Sequence, residues 1–379
     1  MKMLVLGAGR MGLGAAFDLA LQPDVDTVTV ADVDVSKAED VARRINSPKV
    51  KAKHLDVSFG EEGVAQEMRG HASAISCVNY WHNEMLARAA IEAGTNFCDL
   101  GGNNDVVAAE LALDAEARRK NINIIPDCGL APGMVAVLVA HGAQRFTTLD
   151  EIHIRVGGLP QNPKPPLDYQ MVFSVEGLIN EYIEQARVIR GGKVVEVESM
   201  TEIESLEFPA PFGTMEAFQT SGGTSTLPET FFGKVQELDY KTIRYRGHCA
   251  KFKTMIDLGL CGSTPMEVDG QSVVPRRVFG DLLVKTLPHD EPDYVLVRVE
   301  FKGDGGKALR YDIIDAFDPA TGLSAMMRTT AFPAAIVALM MARGDIAKKG
   351  ALPQERCVPP DRFMSELAKR KIEVVESWV

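Results

Sequence analysis

No CxxC pair occurs in the 379-residue sequence, and its six cysteines (Cys77, Cys98, Cys128, Cys249, Cys261 and Cys357) form no Cys/His set at zinc-ligand spacing. No metal is expected, and scattered thiols fit a reducing, cytoplasmic setting. Positive charge is in deficit, because 41 Lys and Arg against 52 Asp and Glu leave a formal charge of −11. A nucleic-acid partner requires a clustered cationic face that releases counterions, so none is expected. Long apolar runs are missing too. Residues 129–140 and 331–342 each contain a proline and fall short of the roughly 18 residues a membrane span needs, so no membrane is expected. The amino terminus, MKMLVLGAGR, lacks a long apolar core followed by a small-residue cleavage site and reads as a strand. There is no GxSxG elbow, and Cys128 has no evident base in sequence, which leaves hydrolase and covalent-thiol chemistry without support.

What is present suits a two-domain enzyme, since 46% hydrophobic composition over this length exceeds what one core absorbs. Over residues 2–127, short apolar runs (3–6, 28–31, 50–55, 74–78, 97–100 and 122–125) alternate with helical patterns such as 36–45 and 84–93. Continuous Val/Ile/Leu runs mark strands buried on both faces, so the spacing predicts an α/β, doubly wound parallel sheet. After Pro126, strands come in adjacent pairs: 187–190 with 193–197 around Gly191-Gly192, 293–301 with 309–316, and 316–318 with 323–328. With helices near 250–260 and 276–286, this predicts an α+β domain with mainly antiparallel sheet. Residues 158–167 and the tail beyond Gly344 read as connections. Residues 330–342 are apolar nearly all round, so this helix must be buried, and it is expected to return to the first domain. The expected division is therefore 1–127, 128–325, and a helix with tail over 326–379.

The first turn carries Gly7-Ala8-Gly9-Arg10-Met11-Gly12 between a strand and a helix. Gly7 permits the tight turn, Gly9 lets backbone approach a pyrophosphate, Gly12 allows close helix packing, and the helix N-terminus supplies N–H groups and positive dipole. Asp32 ends the second strand 20 residues after Gly12, placed to accept from ribose hydroxyls. A carboxylate there repels a 2′-phosphate, and Val33 and Asp34 offer no cation, so NAD is favoured over NADP. Asp56 either touches adenine or caps a short helix before Ser58. Ligands in such sheets sit outside the strands' carboxyl ends, which points to Val78, Asn79, Tyr80, Trp81, Asp99, Leu100 and Asp127. The glycines in Asp99-Leu100-Gly101-Gly102 suit a flat ring and equally an ordinary turn.

In the second domain, residues 220–226 (TSGGTST) concentrate hydroxyls and glycines able to hold an anion, or to form a polar loop. Residues 241–248 alternate like a strand, with Arg244, Arg246 and His248 on one face, a possible carboxylate grip or a solvated face.

The order of Gly7 to Gly12, Ala31-Asp32-Val33-Asp34, Asp99-Leu100-Gly101-Gly102, Pro126-Asp127 and Ala131-Pro132-Gly133-Met134 resembles the saccharopine dehydrogenase family over nearly the whole chain. Residues 216–227 and 240–248 resemble its L-lysine 6-dehydrogenase branch. The resemblance implies an NAD-binding Rossmann domain, a substrate and oligomerisation domain forming a homodimer or homotetramer, and oxidative deamination of the L-lysine ε-amine. On that chemistry, His248 or Asp127 serves as base, with His248 preferred for its near-neutral pKa. Arg244 and the Thr220, Ser221 and Thr224 loop would hold the α-carboxylate, Glu216 or Asp99 would face a cationic amino group, and Tyr80 would line the substrate. The alternatives are a dehydrogenase of a secondary amine such as saccharopine or carboxynorspermidine, and a non-catalytic NAD-binding scaffold or sensor.

Overall fold

The computed structural model describes residues 1–172 and 174–379, and the chain divides into two units. Unit 1 holds Met1–Arg145, Ser225–Thr230 and Met327–Glu373, and unit 2 holds Phe146–Thr224, Phe231–Met326 and Val374–Val379. The first boundary thus falls beyond the expected residue 127. The helix Met134–Ala143 is buried along most of its length, and it packs in unit 1 against Gln354–Arg356 and Pro360–Lys369.

Among the described residues, unit 1 is built on a wholly parallel sheet. Its strands are β1 (Lys2–Leu6), β2 (Thr27–Asp32), β3 (Val50–His54), β4 (Ser73–Ser76), β5 (Asn96–Asp99) and β6 (Asn123–Ile125), joined by a late strand, Gly350–Ala351. The order runs from the late strand through β6, β5, β4, β1 and β2 to β3, reversing direction of growth at β1 and β4 as a doubly wound sheet does. Met3, Leu4, Val5 and Leu6 are all buried, as strands covered on both faces must be.

The helix Ala325–Ala342 accounts for the most apolar stretch of the chain. By length and composition it could cross a membrane, yet 89% of that window is buried inside the fold. Within unit 1 the Ser73 hydroxyl donates to its Ala338 carbonyl (2.9 Å), and a Cβ on Gly14 would lie 2.9 Å from the Ala331 methyl. The helix also corrects the expected strand over 323–328. That hairpin reduces to one bridge, Asp318 to Leu323, after which the Asp293 carboxylate accepts from the Ala325 and Met326 N–H groups (2.6 and 3.0 Å) and starts the helix.

Unit 2 has a mixed sheet with strands β7 (Leu149–Pro160), β8 (Ala186–Arg190), β9 (Lys193–Val197), β10 (Glu204–Phe208), β11 (Gly213–Gln219), β12 (Glu237–Arg244), β15 (Asp293–Gly303) and β16 (Lys307–Ala316), while β13 (Met266–Val268) and β14 (Gln271–Val273) form a separate antiparallel pair. The main path is β10-β11-β12-β7-β15-β16, closed by Val375–Trp378 from the tail, and only β12 with β7 is parallel on it. The tail beyond 344 is therefore structured rather than a connection, and residues 158–160 finish β7. Helices Val175–Ile183, His248–Asp257 and Pro275–Thr286 bury Leu178, Phe252 and Phe279 against Phe218 of β11.

Strand β12 ends at Arg244, so the expected single face of Arg244, Arg246 and His248 does not form. Gly247 turns the chain at φ 92°, and His248 opens a helix. The cause is Glu216 on β11, whose carboxylate accepts from the Gly247 and Cys249 N–H groups, each at 2.7 Å.

Candidate functional site

The glycine turn of unit 1 has the geometry its spacing requires. Gly7 sits at φ 97°, and a Cβ there would lie 2.8 Å from the Cys77 carbonyl oxygen. A Cβ on Gly12 would run into the Gly7 carbonyl. Gly9, the N-cap of the helix Arg10–Leu21, has open space where its side chain would be. Arg10 and Met11 begin that helix, so its N–H groups and dipole face the turn. The Asp32 carboxylate accepts from Ala8 N–H (2.7 Å) and Asp34 N–H (2.9 Å), which fixes the ribose acid to the same turn and leaves each oxygen a lone pair. A dinucleotide fits these residues: the pyrophosphate on the open Gly9 side, a ribose on Asp32.

Other expected cofactor residues divide. Asp56 forms the cap of the second of its two readings, its Oδ1 accepting from Ser58 N–H at 2.8 Å ahead of Val57–Phe59. Val78 packs by the Gly7 turn, Asn79 is exposed, and the Tyr80 ring lies 3.1 Å from where a Gly102 Cβ would be. Asp99 ends β5, and half-buried Leu100 follows it.

Asp127 stands out chemically. It is buried after β6, with φ 61°. Its Oδ2 accepts from the Ser225 hydroxyl, its carbonyl from Gln354 Nε2, and its Oδ1 has no partner among the described residues. Burial, then the charge of Asp99, raise its pKa to about 8. A carboxyl group poised near neutrality can take and return a proton.

In unit 2, Arg244 is buried with its Nε donating to the Tyr182 hydroxyl (2.8 Å) and Nη1 to the Ile243 carbonyl (3.0 Å). Its guanidinium lies 4.9 Å from the Tyr169 ring centre and 5.8 Å from that of Tyr182. Among the described residues it has no ion-pair partner within unit 2. The Tyr182 hydroxyl lies 3.1 Å from His248 Nε2, and His248 Nδ1 lies 2.9 Å from the Leu167 carbonyl. A carbonyl only accepts, so Nδ1 carries the proton and Nε2 accepts from Tyr182. Burial, then Arg244, push the His248 pKa down to about 3. The imidazole is therefore neutral with both nitrogens committed, which removes the basis for preferring it as the shuttle.

The hydroxyl loop is likewise turned inward. Thr220 lies 2.7 Å from the Thr242 hydroxyl, which donates to Glu181 Oε1 at 2.6 Å. Ser221 donates to the Asn180 carbonyl (3.3 Å) and Thr224 to the Arg187 carbonyl (2.9 Å), so neither is held ready for an anion. Glu216 caps a helix rather than facing an amine. Glu216→Ala should lower folding stability by about 2 kcal/mol, as loss of a buried cap does, read as a lower denaturant midpoint. An unchanged midpoint with a raised amine KM would restore its substrate role. Tyr182, Tyr169 and Glu181 were missed by sequence reasoning, although Glu181-Tyr182 lies on the amphipathic segment Val175–Ile183. Ser225, Gln354 and Glu110 meet their partners only through the fold.

The parallel sheet, the glycine turn and the acid closing β2 define an NAD(P)-binding oxidoreductase. Residues 3–125 match the saccharopine dehydrogenase NADP binding domain and residues 129–372 the saccharopine dehydrogenase C-terminal domain, and the chain belongs to the saccharopine dehydrogenase family. Carboxyaminopropylagmatine dehydrogenase of Synechocystis sp. is 22% identical over 394 residues, covering 97% of this chain and 95% of that protein. The NADP(+), L-glutamate-forming saccharopine dehydrogenase of Schizosaccharomyces pombe is 23% identical over 280 residues, 70% of this chain and 59% of that one. The fold matches apo saccharopine dehydrogenase (L-Glu forming) of Saccharomyces cerevisiae with TM-score 0.80 at 21% identity, covering 100% of this chain and 99% of that one. It also matches a Legionella pneumophila homospermidine synthase in complex with NAD, with TM-score 0.70 at 11% identity, covering 100% of this chain and 91% of that one.

Proposed function

We propose that the protein is an NAD-dependent dehydrogenase of the L-lysine ε-amine: lysine, NAD⁺ and water give 2-aminoadipate 6-semialdehyde, ammonium, NADH and a proton, and the semialdehyde cyclises. The observation that carries an amino-acid substrate is Arg244, a buried guanidinium that makes no ion-pair contact among the described residues of its own unit, with the charge of Glu181 acting on it only from beyond contact distance. A desolvated charge of this kind is costly unless something compensates it, and a substrate α-carboxylate does so with a two-point fork. Glu181, held by Thr242, is the matching group for the α-ammonium. Lysine is further supported by the likeness of residues 216–227 and 240–248 to lysine 6-dehydrogenases, and NAD by Asp32.

An ammonium nitrogen has no lone pair with which to expel hydride from its carbon. Asp127 as carboxylate takes the ammonium proton through Oδ1 while Ser225 holds Oδ2. The nicotinamide, when bound, accepts the hydride at C4. Asp127 releases that first proton to solvent, which is the proton of the overall reaction, and as carboxylate again takes a proton from the water that adds to the substrate iminium and returns it to the departing ammonia. Tyr182 and His248 have no part in the proton transfer and fix the Arg244 guanidinium.

A second reading, oxidation of a secondary amine, is favoured by the similarity to carboxyaminopropylagmatine and saccharopine dehydrogenases. An NADH-absorbance screen of lysine, ornithine, saccharopine and carboxynorspermidine, each with NAD and NADP, separates them. Lysine with NAD should turn over and release free ammonia. Turnover confined to a secondary amine, or to NADP, would replace the proposed substrate or cofactor.

A further inference from the structure

Behind Asp127 in unit 1 lie two more carboxyl groups that the chemistry above leaves unused. Asp99 closes β5 and Glu110 sits near the end of the helix Asn104–Leu111, and neither is exposed at all. Asp99 Oδ1 accepts from the N–H of Gly101 (2.6 Å) and of Asp127 (3.3 Å). Asp99 Oδ2 and both Glu110 oxygens find no N–H or hydroxyl donor. The two side chains are within hydrogen-bond reach of each other. Carboxylates only accept, so such a pair is held together by a shared proton. Burial raises the Asp99 pKa too, but the Gly101 and Asp127 N–H groups oppose that rise by favouring its ionised form, whereas Glu110 receives no such donor, which places the proton on Glu110.

Each neighbour agrees with that assignment. Glu110 faces Asp99, Asp127 and the Cys98 thiol, and Asp127 faces Asp99, Glu355 and the Ser225 hydroxyl. None of these is a cation. Burial first, then the Asp99 charge, hold Glu110 far above the usual carboxyl range. The stack ends at the buried, unpartnered Asp127 Oδ1, which faces the space that a Gly101 Cβ would fill.

We infer that Glu110 is a positioning residue: a neutral carboxylic acid whose O–H keeps Asp99 ionised, so that Asp127 faces a fixed negative charge. This rests on Asp127 as the base proposed above. Glu110 touches no reacting atom; it acts through Asp99 on how readily Asp127 takes a proton.

Infrared difference spectra test the proton directly, without turnover. Asp127 is itself largely protonated below its pKa near 8, so with Asp127→Asn as the background the neutral-pH spectrum should show the carbonyl stretch of a protonated carboxylic acid that shifts in D₂O and is lost on adding Glu110→Gln. If that band is absent or survives the substitution, the inference falls. The pH profile of kcat/KM tests the coupling. Glu110→Gln keeps an N–H donor to Asp99 and should keep the acid limb. Glu110→Leu removes the donor, Asp99 takes up a proton itself, and the limb should move to lower pH by roughly one unit. An unmoved limb overturns the coupling, and Asp99→Asn, with the same expected direction, replaces Glu110→Leu if that variant does not fold. Full activity of Asp127→Asn would sink the base instead, and the infrared band still decides Glu110.

Discussion

Asp127→Asn is expected to lower kcat about 10²- to 10⁴-fold, the range general bases supply, with the fold intact. Asn tolerates the left-handed backbone that Asp127 adopts at φ 61°, and its amide oxygen can still accept from Ser225 while its carbonyl keeps Gln354. The variant therefore tests charge and proton affinity alone. In the wild type the base must be deprotonated, so kcat/KM should climb with pH through the Asp127 pKa near 8 and level off above it. The variant's residual rate should lose that limb. Stability supplies an independent sign. Asp127 moves from an ordinary 3.8 to about 8 on folding, so across that window the folded protein keeps a proton that the unfolded chain releases, and stability falls as pH rises. Asparagine has no such titration, and the variant should be at least as resistant to urea at pH 8 as the wild type. Retention of more than about a tenth of kcat would be too little loss for a general base and would remove Asp127 from that role.

Why Asp127 could be found in the sequence, and its proton affinity could not, follows from the range of the forces involved. The strand runs of unit 1 are legible because burial on both faces demands apolar residues in succession, and the topology of such a sheet puts Asp99 and Asp127 at its working edge. Gly7 and Gly12 are legible because backbone lies where a Cβ would be. The strength of Asp127 as an acid depends on Asp99, Glu355 and Ser225, gathered from three distant segments. The same holds in unit 2. Alternation over 241–248 favoured a strand, but a carboxylate on the neighbouring strand captures the Gly247 and Cys249 N–H groups and starts a helix instead. His248 looked like a free imidazole because Tyr182 is 66 residues away. Strand β7 alternates polar and apolar residues from Glu151 to Val156 and was open to local reading, whereas the start of the helix at Ala325 depends on Asp293.

Arg244→Met should collapse the preference for lysine over pentane-1,5-diamine, the same chain without its carboxylate. Methionine keeps an unbranched stem and packs favourably on the Tyr169 and Tyr182 rings, while removing the charge. A fork of charge-assisted hydrogen bonds to a desolvated carboxylate contributes about 3 kcal/mol or more, which corresponds to roughly a hundredfold rise in lysine KM. The diamine never met the guanidinium as an anion, so its kcat/KM should stay level or improve once a like charge is gone from the site. The loss should fall mainly on KM, because a carboxylate remote from the reacting carbon is bound alike in ground and transition states. Folding alone cannot mimic this pattern, since a damaged scaffold would lower both substrates together. If the variant keeps the wild-type ratio between lysine and the diamine, Arg244 does not read the carboxylate. The buried guanidinium would then serve the Tyr182 and His248 chain alone, and the amino-acid substrate would lose the observation that carries it.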